Sequence, residues 1–109
     1  MRESYTAVVA RNVQWADEWA TEPYECAWAG EAIFFVRVLK STQAARPITA
    51  RVQISPDGMQ WADEGSTFDV PASEGVSFVR LKHFGGWLRL AGSASDGGLR
   101  VMAYLCLKS

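Results

Sequence analysis

The sequence predicts an all-β chain: a single antiparallel β-sandwich of about eight strands over residues 1–109, arranged like a jelly roll. Three observations predict it. Apolar and polar residues alternate with period two in nearly every segment, turn residues recur roughly every ten positions, and no helical period is sustained. The composition agrees, since 109 residues that are 49% hydrophobic and carry a net charge of -1 suit one compact domain. The same figures exclude a disordered chain, and no apolar run approaches the ~20 residues of a membrane-spanning helix.

Taken in order, Tyr5 to Ala10 alternates weakly and makes a first strand. Residues 12–18 admit two readings. Gln14-Trp15-Ala16-Asp17-Glu18 reappears as Gln60-Trp61-Ala62-Asp63-Glu64, with Asn12 and Gly58 two positions before each copy, both residue types suited to a left-handed turn. A duplicated hairpin arm explains this echo. A short helix over 13–20, with Trp15 and Trp19 one turn apart, is the competing reading. Residues 24–28 form a further weak strand. Residues 32–40 (AIFFVRVLK) are apolar in both registers, which predicts a central strand covered on each side.

Residues 48–55 give the clearest alternation, with Ile48, Ala50, Val52 and Ile54 on one face and Thr49, Arg51, Gln53 and Ser55 on the other. Ser55-Pro56-Asp57-Gly58 then reads as a turn, because Pro presets its first corner and Gly58 accepts a left-handed conformation. Residues 59–62 are expected to return as a strand, and residues 68–70 and 76–82 are weaker candidates. Leu88 and Leu90 alternate with Trp87 and Arg89. Residues 93–98 (SASDGG) read as a turn before the closing strand, residues 99–107.

Charge and chemistry exclude more than they identify. Eleven Lys and Arg against twelve Asp and Glu leave no positive excess to hold a phosphate backbone, so nucleic acid is not an expected partner. The charge is uneven: residues 1–31 hold six acids and two bases, and the remainder holds nine bases and six acids. Such polarity is able to orient neighbouring copies head to tail, although random imbalance on solvated loops produces it as well. Cys26 and Cys106 lack the spacing of a zinc site, and no metal, cofactor or disulfide is expected. No apolar signal core opens the chain, which predicts synthesis in a reducing cytoplasm, and no membrane partner is expected.

Catalysis finds no constellation either. His83 is the one histidine, read as a turn residue with no nucleophile beside it. Asp17 with Glu18, and Asp63 with Glu64, are adjacent on strands and point to opposite faces, so neither pair makes a glycosidase site by itself. The Asp-Gly steps lack Walker or EF-hand spacing and are turn chemistry. The chain is therefore expected not to be an enzyme.

The aromatic residues and two strands point elsewhere. Phe35, Trp61, Leu88 and Leu90 are assigned to the core, whereas Trp15, Trp19, Trp28 and Trp87 exceed what a small core holds. In the closing strand Leu99, Val101, Ala103, Leu105 and Leu107 share one face, and Arg100, Met102, Tyr104, Cys106 and Lys108 share the other. Met-Tyr-Cys is too apolar for a solvated face. Either the strand is covered within the domain or its second face meets another subunit. Residues 76–81 repeat the pattern, with Val76, Phe78 and Arg80 against Ser77, Val79 and Leu81.

The run Val52-Gln53-Ile54-Ser55-Pro56-Asp57-Gly58-Met59-Gln60-Trp61, followed by Gly86-Trp87-Leu88-Arg89-Leu90 and a closing strand near Lys108, resembles small β-sandwich structural proteins of tailed bacteriophages, including capsid-decorating and cement proteins. The resemblance covers roughly the C-terminal half and implies a noncatalytic homo-oligomer bound to a capsid or other virion protein, located in the virion. The expected contact residues are Phe78, Trp87, Met102 and Tyr104. The alternative is a carbohydrate-binding module in which exposed Trp15, Trp19 or Trp87 stack on sugar rings.

Overall fold

The computed structural model describes residues 3–41 and 46–109, with the backbone alone at 41 and 95–97. Its elements are β1 (Ser4–Ala20), β2 (Tyr24–Glu25), β3 (Glu31–Ser41), β4 (Ile48–Ser55), β5 (Ala62–Val70), β6 (Gly75–Lys82) and β7 (Trp87–Lys108). All pairings are antiparallel, and they join into one continuous sheet of order β5-β4-β7-β3-β6, with β1 and β2 on the other edge of β7. The fold is the all-β, sandwich-like class that the alternation predicts.

Two long strands turn this sheet into two stacked halves. The first part of β7 pairs with β4 (Leu90 opposite Val52), and its second part pairs with β3 (Ala103 opposite Val36). β1 follows β7 along its other edge throughout, from Ser4 opposite Lys108 to Ala20 opposite Ala91. The β4 half thus holds β5, β4, the start of β7 and the end of β1. The β3 half holds β6, β3, the end of β7 and the start of β1. Their inner faces share one core, in which Val52, Leu88 and Leu90 from one half join Phe34, Val36 and Leu105 from the other, all fully buried. Burying side chains of this size is worth about 1.5–3 kcal/mol each.

The bends explain where the structure departs from expectation. Residues 93–98 do not end a strand. Between Trp15 opposite Leu99 and Asp17 opposite Ala94, β7 has four residues where β1 has one, so the small and Gly-rich segment is an irregular bulge within one continuous element. Residues 13–20 are strand, not helix. Asn12 and Gly58 do both take positive φ, at 50° and 80°, yet Asn12 sits at a register break inside β1 while Gly58 closes a loop. The repeated pentapeptide therefore occupies two different settings and is not a duplicated hairpin.

The loop after β4 is built by Asp57. Its carboxylate accepts backbone N–H bonds from Met59 (2.8 Å) and Gln60 (2.9 Å), and Ser55 Oγ accepts that of Gly58 (2.8 Å). These bonds hold residues 59–61 in the loop, so the returning strand begins at Ala62 rather than Met59. They also lower the Asp57 carboxyl from its ordinary range, the Gln60 and Met59 amides contributing most.

Candidate docking face

Sheet geometry sorts outward side chains into rows across the β3 half. One row runs Phe78 (β6), Phe35 (β3), Tyr104 (β7) and Val8 (β1), each directly opposite the next. The neighbouring rows are Val76, Arg37 and Met102 on one side, and Arg80, Ile33, Cys106 and Thr6 on the other. The period of two that buries Phe34, Val36, Ala103 and Leu105 necessarily turns this second set outward. The result is an apolar band with Val76 62%, Phe78 47% and Val8 37% exposed, joined by half-buried Phe35, Met102 and Tyr104. The largest apolar patch on a soluble domain is often a functional surface.

Local contacts stiffen the band. The Phe35 and Phe78 rings meet with centroids 6.0 Å apart, and the Arg80 guanidinium lies 5.0 Å above the Phe78 centroid. Tyr104 donates its hydroxyl hydrogen to Met102 Sδ at 3.7 Å, and Cys106 Sγ lies 3.4 Å from Thr6 Oγ1. A recess of about 370 Å³ bordered by Glu31, Ile33, Arg80 and Lys82 closes one end.

The structure gathers Phe78, Met102 and Tyr104 on this face but puts Trp87 elsewhere. Trp87 stands opposite Ser55 and Glu25, and its half-buried indole covers the Gly58 loop so closely that a Cβ at Gly58 would lie 3.1 Å from the ring. Trp15 and Trp19 require correction as sugar platforms. They are 2% and 9% exposed and stack on each other inside the core, with centroids 3.6 Å apart and planes at 5°. The five residues of the echo and strand-end readings come from three places in the chain: Asp17 and Glu18 lie on β1, Asp63 and Glu64 on β5, and His83 follows β6. Among the described residues no three His, Cys, Asp or Glu side chains gather as metal ligands would.

Phe35, assigned to the core from sequence, is instead in the middle of the band. β3 is central within its sheet, as its apolar run predicts, but only Ala32, Phe34, Val36 and Val38 are buried. Ile33 and Phe35 are the signal that sequence reading contained and misassigned. Val8 was legible only through its pairing with Tyr104, which depends on a contact between the two ends of the chain.

The outer face of the β4 half has a different chemistry. Arg89 Nε donates to Gln53 Oε1 (2.7 Å), Gln53 Nε2 donates to Asp63 Oδ1 (3.0 Å), and Arg51 Nε stands 3.5 Å from the same carboxylate oxygen. Thr49 donates to Asp69 (3.0 Å), and Arg89 lies 4.3 Å above the Trp61 ring. Partial burial, and then the Arg51 charge, lower the Arg89 guanidinium from its ordinary pKa. Trp61, also assigned to the core, is the half-buried floor beneath Arg89.

The fold thus defines an antiparallel sandwich with one outer face satisfied by its own polar groups and one left apolar. Residues 35–103 match the family described as Domain of unknown function (DUF6385), and the chain belongs to that family. That span holds most of β3 and all of β4, β5 and β6, and excludes β1. No curated protein sequence matches the chain.

Solved structures agree on the fold. The SPBc2 prophage-derived protein YomS is similar over 100% of this chain and 96% of its own, with TM-score 0.65 and 6% identity. A chain of the infectious bursal disease virus Gx strain is similar over 98% of this chain and 32% of its own (TM-score 0.54, 11% identity). A chain from Bacillus endospore appendages, described as a family of disulfide-linked pili, is similar over 98% and 86% (TM-score 0.51, 12% identity). At these identities the likeness concerns architecture alone.

Proposed function

We propose that this chain is a noncatalytic building block that self-associates through the outer face of its β3 half, as a component or decoration of a larger assembly such as a phage virion. The observation that carries this reading is the contiguous band of Phe78, Phe35, Tyr104, Val8, Val76 and Met102 on one sheet face. Met, Tyr, Phe and Arg are the residue types enriched where proteins meet. The similarity in fold to a prophage protein, a virus protein and a pilus-forming appendage protein is compatible with this role. In the alternative saccharide reading Trp15 and Trp19 are no longer open platforms, and half-buried Trp87 is the remaining candidate among the three.

Four strands about 4.8 Å apart and some eight residues long give a face of roughly 500 Å². That is below the ~800 Å² per partner of a standard interface. Association is accordingly expected to be concentration-dependent rather than permanent. Light scattering or sedimentation across a wide concentration range is expected to show a mass above that of the 12.0 kDa monomer, and Met102→Asp to reduce it to the monomer. A parent protein that stays monomeric throughout, with oligosaccharides quenching its tryptophan fluorescence saturably, contradicts the proposal.

A further inference from the structure

Self-association through the apolar face leaves open what covers it, and the charges around the band answer that question. Resting on the reading above, we infer that the face is covered by the acidic β1–β2 border of a second copy, in a head-to-tail contact, and not by the same face of a symmetry mate.

The face holds six of the chain's eleven Lys and Arg residues: Arg37, Lys40, Arg80, Lys82, Arg100 and Lys108. They come from β3, β6 and β7, so no single segment reveals the cluster. Among the described residues Glu31 is the one acid on this face, and it lies between Lys82 and Lys108 in the same row. Two copies stacked face to face would bring these cations within one screening length, about 8–10 Å, while removing water from between them. Hydrophobic contact alone favours that dimer, and like charge opposes it.

The opposite charge lies on the same molecule. Asp17 and Glu18 at the end of β1, Glu22 beyond it and Glu25 in β2 are all exposed along one border. Glu18, Glu22 and the single cation Arg11 flank a groove of about 550 Å³ whose apolar lining includes Val9, Ala10 and Val13, and Val8 marks where this groove adjoins the band. With Asp17, Glu18, Glu22 and Glu25 against Arg11, the border is net negative and complements apolar surface edged by bases. Pairing of strand edges is a poorer alternative. β1 breaks register at three places, and β6 carries Arg80 and Lys82, both of which discourage edge addition. A contact between two different patches of identical chains repeats as a ring or an open filament.

Mixing two variants tests this directly. Arg37→Glu with Arg80→Glu disables the face, and Glu18→Lys with Glu22→Lys disables the border; all four positions are exposed, and circular dichroism checks that each variant folds. Each variant alone is expected to be monomeric, and an equimolar mixture to form a 1:1 dimer, because one intact face meets one intact border. Raising salt from about 0.05 to about 0.5 M is expected to weaken the parent assembly several-fold. A parent that associates more tightly in salt, or whose two variants stay monomeric when mixed, overturns the head-to-tail contact in favour of like faces stacking. A parent that never associates removes self-association itself, a separable outcome.

Discussion

The two outer faces of this sandwich are built from the same long strands and differ in how their polar groups are satisfied. On the β4 half, Arg51 and Arg89 meet Asp63 and Gln53, Thr49 meets Asp69, and Trp61 lies under a guanidinium. On the β3 half, the corresponding positions hold Phe35, Phe78, Met102 and Tyr104, with cations facing almost no acids. A strand that crosses a bend, as β7 does, can present one chemistry before it and another after. One face satisfies its polar groups within the chain, whereas the other leaves large apolar side chains exposed.

The strongest way to break this contrast is to charge the apolar face. Phe78→Asp is expected to weaken self-association at least about tenfold, equivalent to ~1.4 kcal/mol. Gln53→Ala on the polar face is expected to leave the sedimentation mass unchanged. Next in size is a packing change beneath the polar face. A Cβ at Gly92 would lie 2.5 Å from Trp19 Cζ2 and 2.8 Å from the Thr49 carbonyl oxygen, so Gly92→Ala is expected to cost about 1–3 kcal/mol in urea unfolding. Gly86→Ala, which meets open space, is its control and is expected to stay within about 0.5 kcal/mol.

Smaller effects sharpen the account of the polar face. Gln53→Ala removes the 2.7 Å partner of half-buried Arg89 and is expected to lower stability by about 0.5–1.5 kcal/mol. The last effect is a pH dependence. Because the Asp57 carboxyl is lowered in the folded chain, its contribution is complete above the unfolded carboxylate pKa, ~3.9, and is lost as pH falls through the folded value. Asp57→Asn is expected to flatten that part of the acid limb, measured as unfolding midpoint against pH.

The sequence made the inner faces legible and the long-range joins illegible. The alternation at Ile48–Ser55 marks β4 with its observed bounds, and the Leu99, Val101, Ala103, Leu105 and Leu107 series is fully buried as its parity requires. Trp15 and Trp19 share a strand face as readily as a helix turn, since a spacing of four residues is two full periods of a strand. Sequence spacing could not choose between them. The bulge at 95–98 uses the same Gly and Asp residues as a chain-reversing turn, and only pairing with β1 distinguishes the two. Phe35 was misassigned because an apolar side chain looks the same on an inner face as on an outer one. The cationic rim was hidden for a related reason: its members come from three strands that meet only in the sheet.

A native thiol allows the central claim to be measured at its own site. Cys106 lies on the apolar face and is half-buried, whereas Cys26 is fully buried, its thiol pushed up to about 11 by burial and then by Glu25. The alkylation rate of Cys106, read by mass spectrometry across protein concentrations with Cys26 as internal reference, is expected to fall as concentration rises and to recover in the Phe78→Asp variant. A Cys106 rate that stays constant while the solution mass increases would mean that the copies meet through some other surface, and the account given for this face would be wrong.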